Sequence, residues 1–168
     1  YTLTLLDTYT RVALHRMTKY SIKKNDVKVF WDYVIEQYLQ QWNCLEEKID
    51  IEVRNDNDKR FSATLIQDYF KENHLNQVFT HPYTPQENGH IESFHNILGK
   101  HLKPYLFWDL DELENNLEIF YEKYNNKRLH SSVADLPPQT FWELHEKDLI
   151  EKTVDEDKRK IKFKLKIP

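Results

Sequence analysis

The hydrophobic residues of this chain change their spacing several times, and this change limits the folds that it can adopt. From Asn25 to Trp42 they recur at helical spacing, whereas residues 49–54 alternate as in a strand. A second helical stripe follows at residues 65–70, and a short strand is predicted at residues 76–80. Helices that alternate with strands predict an α/β domain with a mixed sheet.

The flanking segments complete this pattern. Residues 1–7 and 12–17 are rich in β-branched and apolar side chains, and we predict two strands joined by a turn. Asp109 and Glu112 resemble a capping box ahead of an apolar helical stripe. We predict that Ser62 caps a helix whose apolar face carries Leu65, Ile66, Tyr69 and Phe70. A further helix is predicted with Ile91, Phe94, Leu98 and Leu102 on one face. We also predict a helix over 136–146 with proline in its first turn, and a half-buried strand over 161–167.

The composition indicates a folded domain. The chain has 168 residues, of which 39% are hydrophobic and 14% aromatic, enough to form a core. The longest apolar run is far shorter than the ~20 residues of a membrane span, and nothing resembles an export signal, so we expect a cytoplasmic protein without membrane partners. Cys44 is the only cysteine, and no histidine has zinc-site spacing, so neither a disulfide nor structural zinc is expected.

The charge distribution restricts how nucleic acid can be bound. The net charge of −4 argues against binding through bulk electrostatics. Residues 158–166 nevertheless carry six basic side chains and no acid, so phosphate contacts would come from local patches. We divide the chain into a core at residues 1–146 and a charged extension at residues 147–168 with a possible strand.

Two carboxylates stand out by their position in the predicted elements. Asp56 follows the strand that ends near residue 54, and Glu92 lies on the first turns of a helix. Carboxylate oxygens are the ligands that Mg²⁺ and Mn²⁺ prefer. Two such metals about 3.5–4 Å apart activate an attacking oxygen and stabilise a leaving oxygen in phosphoryl transfer. The pair therefore points to metal-assisted chemistry on phosphate esters.

Three sequence blocks, in order, carry a family resemblance. They are "VRNDNDKRF", "PYTPQENGHIESFHNILGKHL" and "YNNKRLHSS" with the following "LPPQTFW". Together they resemble the catalytic core of insertion-sequence transposases and retroviral-type integrases, the DDE superfamily, over nearly the whole chain to about residue 145. The resemblance implies an RNase H-like fold, a mixed sheet flanked by helices, with an Asp, Asp, Glu triad that binds two divalent metal ions. The third block is more typical of bacterial transposases.

The resemblance also implies roles for individual residues. Asp56 matches the second catalytic aspartate and Glu92 the catalytic glutamate, and both would bind metal. Asn88 and Gly89 match a flexible turn, in which the glycine would let the loop bend. Gly99 shares the side of the helix that would face DNA. The residues expected to contact DNA are Asn88, His95, Asn96 and Lys100, with Arg128 and His130 contacting phosphate or bracing the active-site loops.

The chain departs from the family pattern at two places. Asp58 stands where the family has glycine, which would alter the turn or add a charge. Asp7 matches a family aspartate outside the triad, so we do not assign it to catalysis. The first catalytic aspartate and the first strand of the fold are expected upstream of Tyr1, in the parent protein.

These observations predict a transposase core that uses Mg²⁺ or Mn²⁺. It would cleave a strand at an element end and join the 3′ hydroxyl to target DNA, acting as a homo-oligomer on double-stranded DNA. The alternatives are a retroviral-type integrase core, a non-catalytic DNA-binding or assembly relic of a transposase, and a plain RNase H-type nuclease. An aspartate roughly a dozen residues upstream would favour an enzyme over a relic, and strand transfer would exclude a plain nuclease.

Overall fold

A computed structural model describes residues 1–44, 50–81, 89–155 and 160–166. Six strands and five α-helices occur in this part of the chain, together with a π-helical segment at Ile35–Leu39 and a 3-10 turn at Ser131–Val133. The elements are β1 (Thr2–Leu6), β2 (Ala13–Thr18), α1 (Lys24–Val34), β3 (Ile51–Asn55), α2 (Thr64–Glu72), β4 (Leu75–Phe79), α3 (Gly89–Leu102), α4 (Leu110–Asn126), α5 (Pro138–Glu146), β5 (Ile150–Asp155) and β6 (Lys160–Leu165).

The strands pair in both orientations. β1 pairs with β2. β3 and β4 are parallel, with Ile51 opposite Leu75 and Asn55 opposite Phe79, and α2 connects them. β5 and β6 are antiparallel, with Ile150 opposite Leu165. The predicted α/β architecture with parallel and antiparallel strands is therefore confirmed.

The chain divides into two compact units. The first comprises residues 1–3 and 15–95, and the second comprises residues 4–14 and 96–168. In the first unit the apolar faces of α1 and α2 are buried, and the Trp31 and Phe70 rings meet edge to face with centroids 5.1 Å apart. The Tyr69 hydroxyl donates to Asp32 Oδ1 at 2.7 Å, which ties α2 to α1. Its buried apolar residues include Val27, Phe30, Trp31, Val34, Ile66, Phe70 and Leu75.

The second unit has a core of its own. Val133, Phe141 and Ile150 are buried together, and Tyr9, Leu136, Leu144 and Phe163 pack against them. In the same unit, α4 buries Leu117, Phe120, Tyr121 and Tyr124. This core joins the turn after β1, the segment after α4, helix α5 and the β5–β6 hairpin.

Several predicted features differ in the structure. Ser62 does not cap α2, which starts after Ala63, and Leu65 is exposed rather than buried. Trp42 lies beyond the helix, because α1 widens into the π-helical segment and ends before it. Asp109 does cap α4 through Glu112 N at 2.8 Å, and Pro138 opens α5, as predicted.

The C-terminal strand is less buried than predicted. Phe163 packs against the core, but Ile161 and Leu165 remain 51% and 46% exposed, and Ile167 lies outside the described residues. Its lysines alternate with these side chains, and Lys164 lies opposite Glu151 of β5. Strand β5 had no counterpart in the sequence-based prediction. None of the described helices combines the length and hydrophobicity that a membrane crossing requires.

Candidate active site

Asp56 follows directly on the carboxyl end of β3. Main-chain and side-chain hydrogen bonds hold this end beside the residue that follows β4. Thr80 N donates to Asn55 O at 3.0 Å, and Asn57 Nδ2 donates to Thr80 O at 2.8 Å. Gln77 Nε2 also donates to Asn55 Oδ1 at 3.0 Å. The Asp56 side chain is therefore exposed on a well-fixed turn.

The neighbouring Asp58 has a different role from Asp56. Its carboxylate accepts two hydrogen bonds from the Arg60 guanidinium, Nε at 2.9 Å and Nη2 at 2.8 Å. These bonds lower the pKa of the Asp58 carboxyl. Asp58 has no positive φ, so the backbone here does not require the glycine of the family pattern. Asp56 Oδ1 accepts one hydrogen bond, from Asp58 N at 3.1 Å.

Glu92 lies in the first turn of α3, where the helix dipole favours a carboxylate. Phe94 and Leu98 are buried on the opposite face of this helix, and Glu92 is exposed. Among the described residues, no hydrogen bond or ion pair involves the Glu92 carboxylate. Its oxygens are thus available to a ligand.

The charges of Asp56 and Glu92 both act on one side chain, His95. Partial burial lowers the pKa of the His95 imidazole, while the negative charges of Asp56 and Glu92 both act to raise it. All three residues belong to the first unit. Both carboxylates therefore lie within electrostatic range of His95, although 35 residues separate them in the sequence.

The donor set fits a hard divalent cation in part. Neither Asp56 nor Glu92 forms an ion pair among the described residues, although the charge of Asp56 also acts on Arg60. Mg²⁺ commonly uses one or two carboxylates and keeps several waters. Within the described ranges, no group of three or more histidine, cysteine, aspartate or glutamate side chains is arranged to hold a metal. Asp56 and Glu92 would accordingly supply only part of a metal's coordination.

The turn ahead of α3 is described only at its end. Asn88 lies outside the described residues, whereas Gly89 is the first residue of α3. Gly89 does not adopt a positive φ, and a Cβ built on it would meet no described atom within 4 Å. Gly89 itself therefore has no conformation that requires glycine, and the loop in which the bend is predicted lies outside the described residues.

The remaining predicted DNA contacts belong to the second unit. Asn96 and Lys100 are exposed on α3, on the side away from Leu98. Arg128 is exposed after α4, and His130 is half-buried before the 3-10 turn. Burial and the charges of Arg128 and Arg11 lower the pKa of the His130 imidazole to about 4.

Arg11 is a residue that the sequence analysis did not identify. Its charge acts on His130, a predicted DNA contact, and on Tyr124, so it lies near both side chains. Its φ of 68° is unusual for a residue other than glycine. The only signal in the sequence is the arginine after the turn at residues 8–10. Asp7 is a structural residue of this turn, since its carboxylate accepts from Tyr9 N and Thr10 N.

Comparisons with known proteins agree with the earlier resemblance. The model of a family described as "Integrase core domain" matches residues 73–138. The solved catalytic core domain of BIV integrase is 19% identical, with a TM-score of 0.63 and 88% of each chain covered. A chain of the simian T-cell lymphotropic virus intasome, solved with PP2A regulatory subunit B56 gamma, is 17% identical, with a TM-score of 0.63. That match covers 86% of this chain and 47% of the other.

No curated protein sequence matches the chain significantly. The structural likeness at this level of identity concerns the fold, and the BIV match spans most of both chains. The resemblance to integrase cores is confirmed at the level of the fold: residues 73–138 match the model of the integrase core domain, and the chain has the RNase H-like fold of integrase catalytic cores.

Proposed function

We propose that this chain is the catalytic core of a transposase that cleaves and transfers DNA strands with divalent metal ions. The observation that supports the proposal is that the charges of Asp56 and Glu92, which are distant in sequence, both act on His95. This arrangement occurs in a chain whose residues 73–138 match an integrase core domain. Bound Mg²⁺ or Mn²⁺ would supply the activation of the attacking oxygen and the neutralisation of charge on the leaving oxygen.

The residues have distinct proposed tasks. Asp56 and Glu92 bind metal, and two ions are expected once the site includes a further carboxylate. Asp58 pairs with Arg60 and is not assigned to metal binding. Asn88, His95, Asn96 and Lys100 contact DNA along α3 and its preceding turn. Arg128 and His130 contact a phosphate.

The proposed partner is double-stranded DNA, both the element ends and the target. One of the similar solved structures is that of an intasome, from simian T-cell lymphotropic virus. By analogy, we propose that this protein acts as a homo-oligomer that brings two DNA ends together. The bacterial character of the third sequence block favours a transposase over a retroviral-type integrase.

The proposal is tested with labelled duplex DNA and Mn²⁺, using the protein that contains this chain. We expect strand cleavage that leaves 3′ hydroxyl ends, followed by joining of these ends to a second duplex. Both activities should be lost in Asp56→Asn and Glu92→Gln and retained in Asp58→Asn, because Asp58 is paired with Arg60. Cleavage without joining would indicate a plain nuclease.

A non-catalytic relic is a second candidate. It is favoured by the observation that no group of three metal-binding side chains occurs among the described residues. A relic would bind DNA but show no metal-dependent cleavage, with or without Asp56. The same assay therefore separates this candidate from the enzyme.

A further inference from the structure

The strongest unexplained feature of the second unit is a group of positively charged and polar side chains around His130. We define the His130 cluster as Arg11, Tyr124, Arg128, His130 and Ser132. Every member belongs to the second unit. The cluster joins the turn after β1 to the end of α4 and the 3-10 turn.

The position of Arg11 is fixed by several contacts. Its guanidinium donates to Ser132 Oγ at 3.3 Å through Nε and to Thr8 O through Nη1. Its backbone N donates to Asp7 O at 2.9 Å, while φ is 68°. A long side chain in the left-handed region costs free energy unless its surroundings hold it there. The turn therefore presents an arginine at a defined place.

His130 has an unmet hydrogen-bonding need. Its Nε2 is buried and finds no hydrogen-bond partner among the described residues. The imidazole packs edge to face against Tyr124, with ring centroids 4.8 Å apart. Buried polar atoms in folded proteins are nearly always satisfied, so this atom indicates a ligand or an ordered water.

The charges around this atom favour an anion. The positive charges of Arg11 and Arg128 both act on His130 and on Tyr124. The carboxylate of Asp7 also acts on Arg11, but it already accepts hydrogen bonds from Tyr9 N and Thr10 N. Among the described residues, the Arg128 guanidinium has no hydrogen bond or ion pair. Two arginines and an unsatisfied imidazole nitrogen suit a phosphate oxygen.

We infer that the His130 cluster binds a phosphodiester group of duplex DNA, with Arg11 and Arg128 supplying charge and the buried His130 Nε2 donating to an ordered water that bridges to the phosphate. This inference rests on the proposed function, because it specifies how the core holds its DNA. It adds Arg11, which lies more than 100 residues from His130 in the sequence, to the DNA-binding surface.

The test is a salt titration of duplex DNA binding in EDTA, followed by fluorescence anisotropy. The logarithm of the binding constant should fall linearly with the logarithm of the salt concentration. Arg11→Gln and Arg128→Gln should each reduce the slope by about 0.9, the value for one neutralised phosphate. Arg11→Lys should keep the slope. His130→Asn should weaken binding about tenfold without changing the slope, since the neutral imidazole displaces no counterion.

The matched control is Lys147→Gln, an exposed basic residue after α5 that should leave both the slope and the affinity unchanged. Wild-type binding with the same slope in Arg11→Gln and Arg128→Gln would overturn the inference and leave the proposed function standing. A lower melting temperature in Arg11→Gln with an unchanged slope would assign Arg11 to structure alone. Absence of DNA binding by the wild type would contradict both proposals.

Discussion

Two aspartates separated by one residue have opposite surroundings in this protein. Asp58 is engaged by Arg60 through two side-chain hydrogen bonds, whereas Asp56 accepts a single bond from a backbone N–H. A carboxylate that is hydrogen-bonded to arginine binds a metal cation weakly, because its charge is already neutralised. A carboxylate without such hydrogen bonds can bind the cation more strongly. Identical side chains thus acquire different roles through the geometry of one turn.

At the same scale, His130 should make stability depend on pH. Its pKa of about 4 in the folded protein lies below the ordinary value of 6.5, because burial and two arginines disfavour the charged form. Below pH 6.5 the unfolded chain takes up a proton that the folded protein resists, so the free energy of unfolding should fall between about pH 6.5 and 4. A shift of this size corresponds to roughly 3 kcal/mol, and half-exposure reduces our expectation to about 1–2 kcal/mol.

Urea unfolding of the wild type and of His130→Gln at several pH values between 7.5 and 4 measures this effect. Between pH 7.5 and 4, the free energy of unfolding of His130→Gln should fall by about 1–2 kcal/mol less than that of the wild type. Equal pH dependence of the two proteins would show that His130 is protonated as readily in the folded state as in the unfolded state.

Among the elements, the side-chain amide of Asn125 in α4 is paired with the backbone of Ala13 in β2. Asn125 Oδ1 accepts from Ala13 N, and Asn125 Nδ2 donates to Ala13 O, both at 3.0 Å. Asn125→Ala would leave two backbone groups of the buried Ala13 without partners, at a cost of about 2–3 kcal/mol in unfolding free energy. Asn125→Asp keeps the acceptor and loses the donor, so its cost should be similar.

Denaturant unfolding of both Asn125 variants tests this contact. Asn126→Ala is the matched control, because Asn126 is the exposed neighbour at the end of α4. If Asn126→Ala lowers the free energy of unfolding as much as Asn125→Ala, the loss arises from the end of the helix and not from the amide pairing.

Helix α3 provides a further prediction at the scale of elements. Gly99 lies inside this helix and is exposed, and a Cβ there would meet no described atom within 4 Å. Gly99→Ala should therefore raise the free energy of unfolding by about 0.5–1 kcal/mol, because alanine has the higher helix propensity. Gly89→Ala, at the helix start, should be tolerated as well. A destabilised Gly99→Ala protein in thermal unfolding would contradict the open space seen here.

The sequence predicted these elements better than it predicted their ends. Helical spacing located α3 and α4 and their buried faces, because apolar residues at such spacing can be buried together on one side. Ser62 was a wrong cap because Ala63 occupies the extended position before α2. Helical spacing predicts Trp42 on the apolar face of the first helix, but the π-helical segment interrupts this spacing before Trp42. The β5 strand escaped prediction because its exposed residues follow no clear alternation.

The candidate site was predictable in part for a similar reason. Asp56 and Glu92 follow recognisable local signals, a strand end and a helix start. Arg11 could not be identified in this way, because its proximity to His130 arises from tertiary packing and not from local sequence.

For the whole molecule, the net charge of −4 means that the proposed DNA contacts must come from local groups against an unfavourable average field. The residues proposed for these contacts lie on separate elements, and the match over residues 73–138 includes the helix that carries Glu92. The central claim is therefore that carboxylates distant in sequence converge to bind a divalent cation.

Calorimetric titration with Mn²⁺ tests this claim most directly, on the wild type and on Asp56→Asn, Glu92→Gln and Asp58→Asn. We predict binding by the wild type, its loss in each of the first two variants, and its retention in Asp58→Asn, whose carboxylate is engaged by Arg60. Mn²⁺ binding that persists unchanged in both Asp56→Asn and Glu92→Gln would contradict the account.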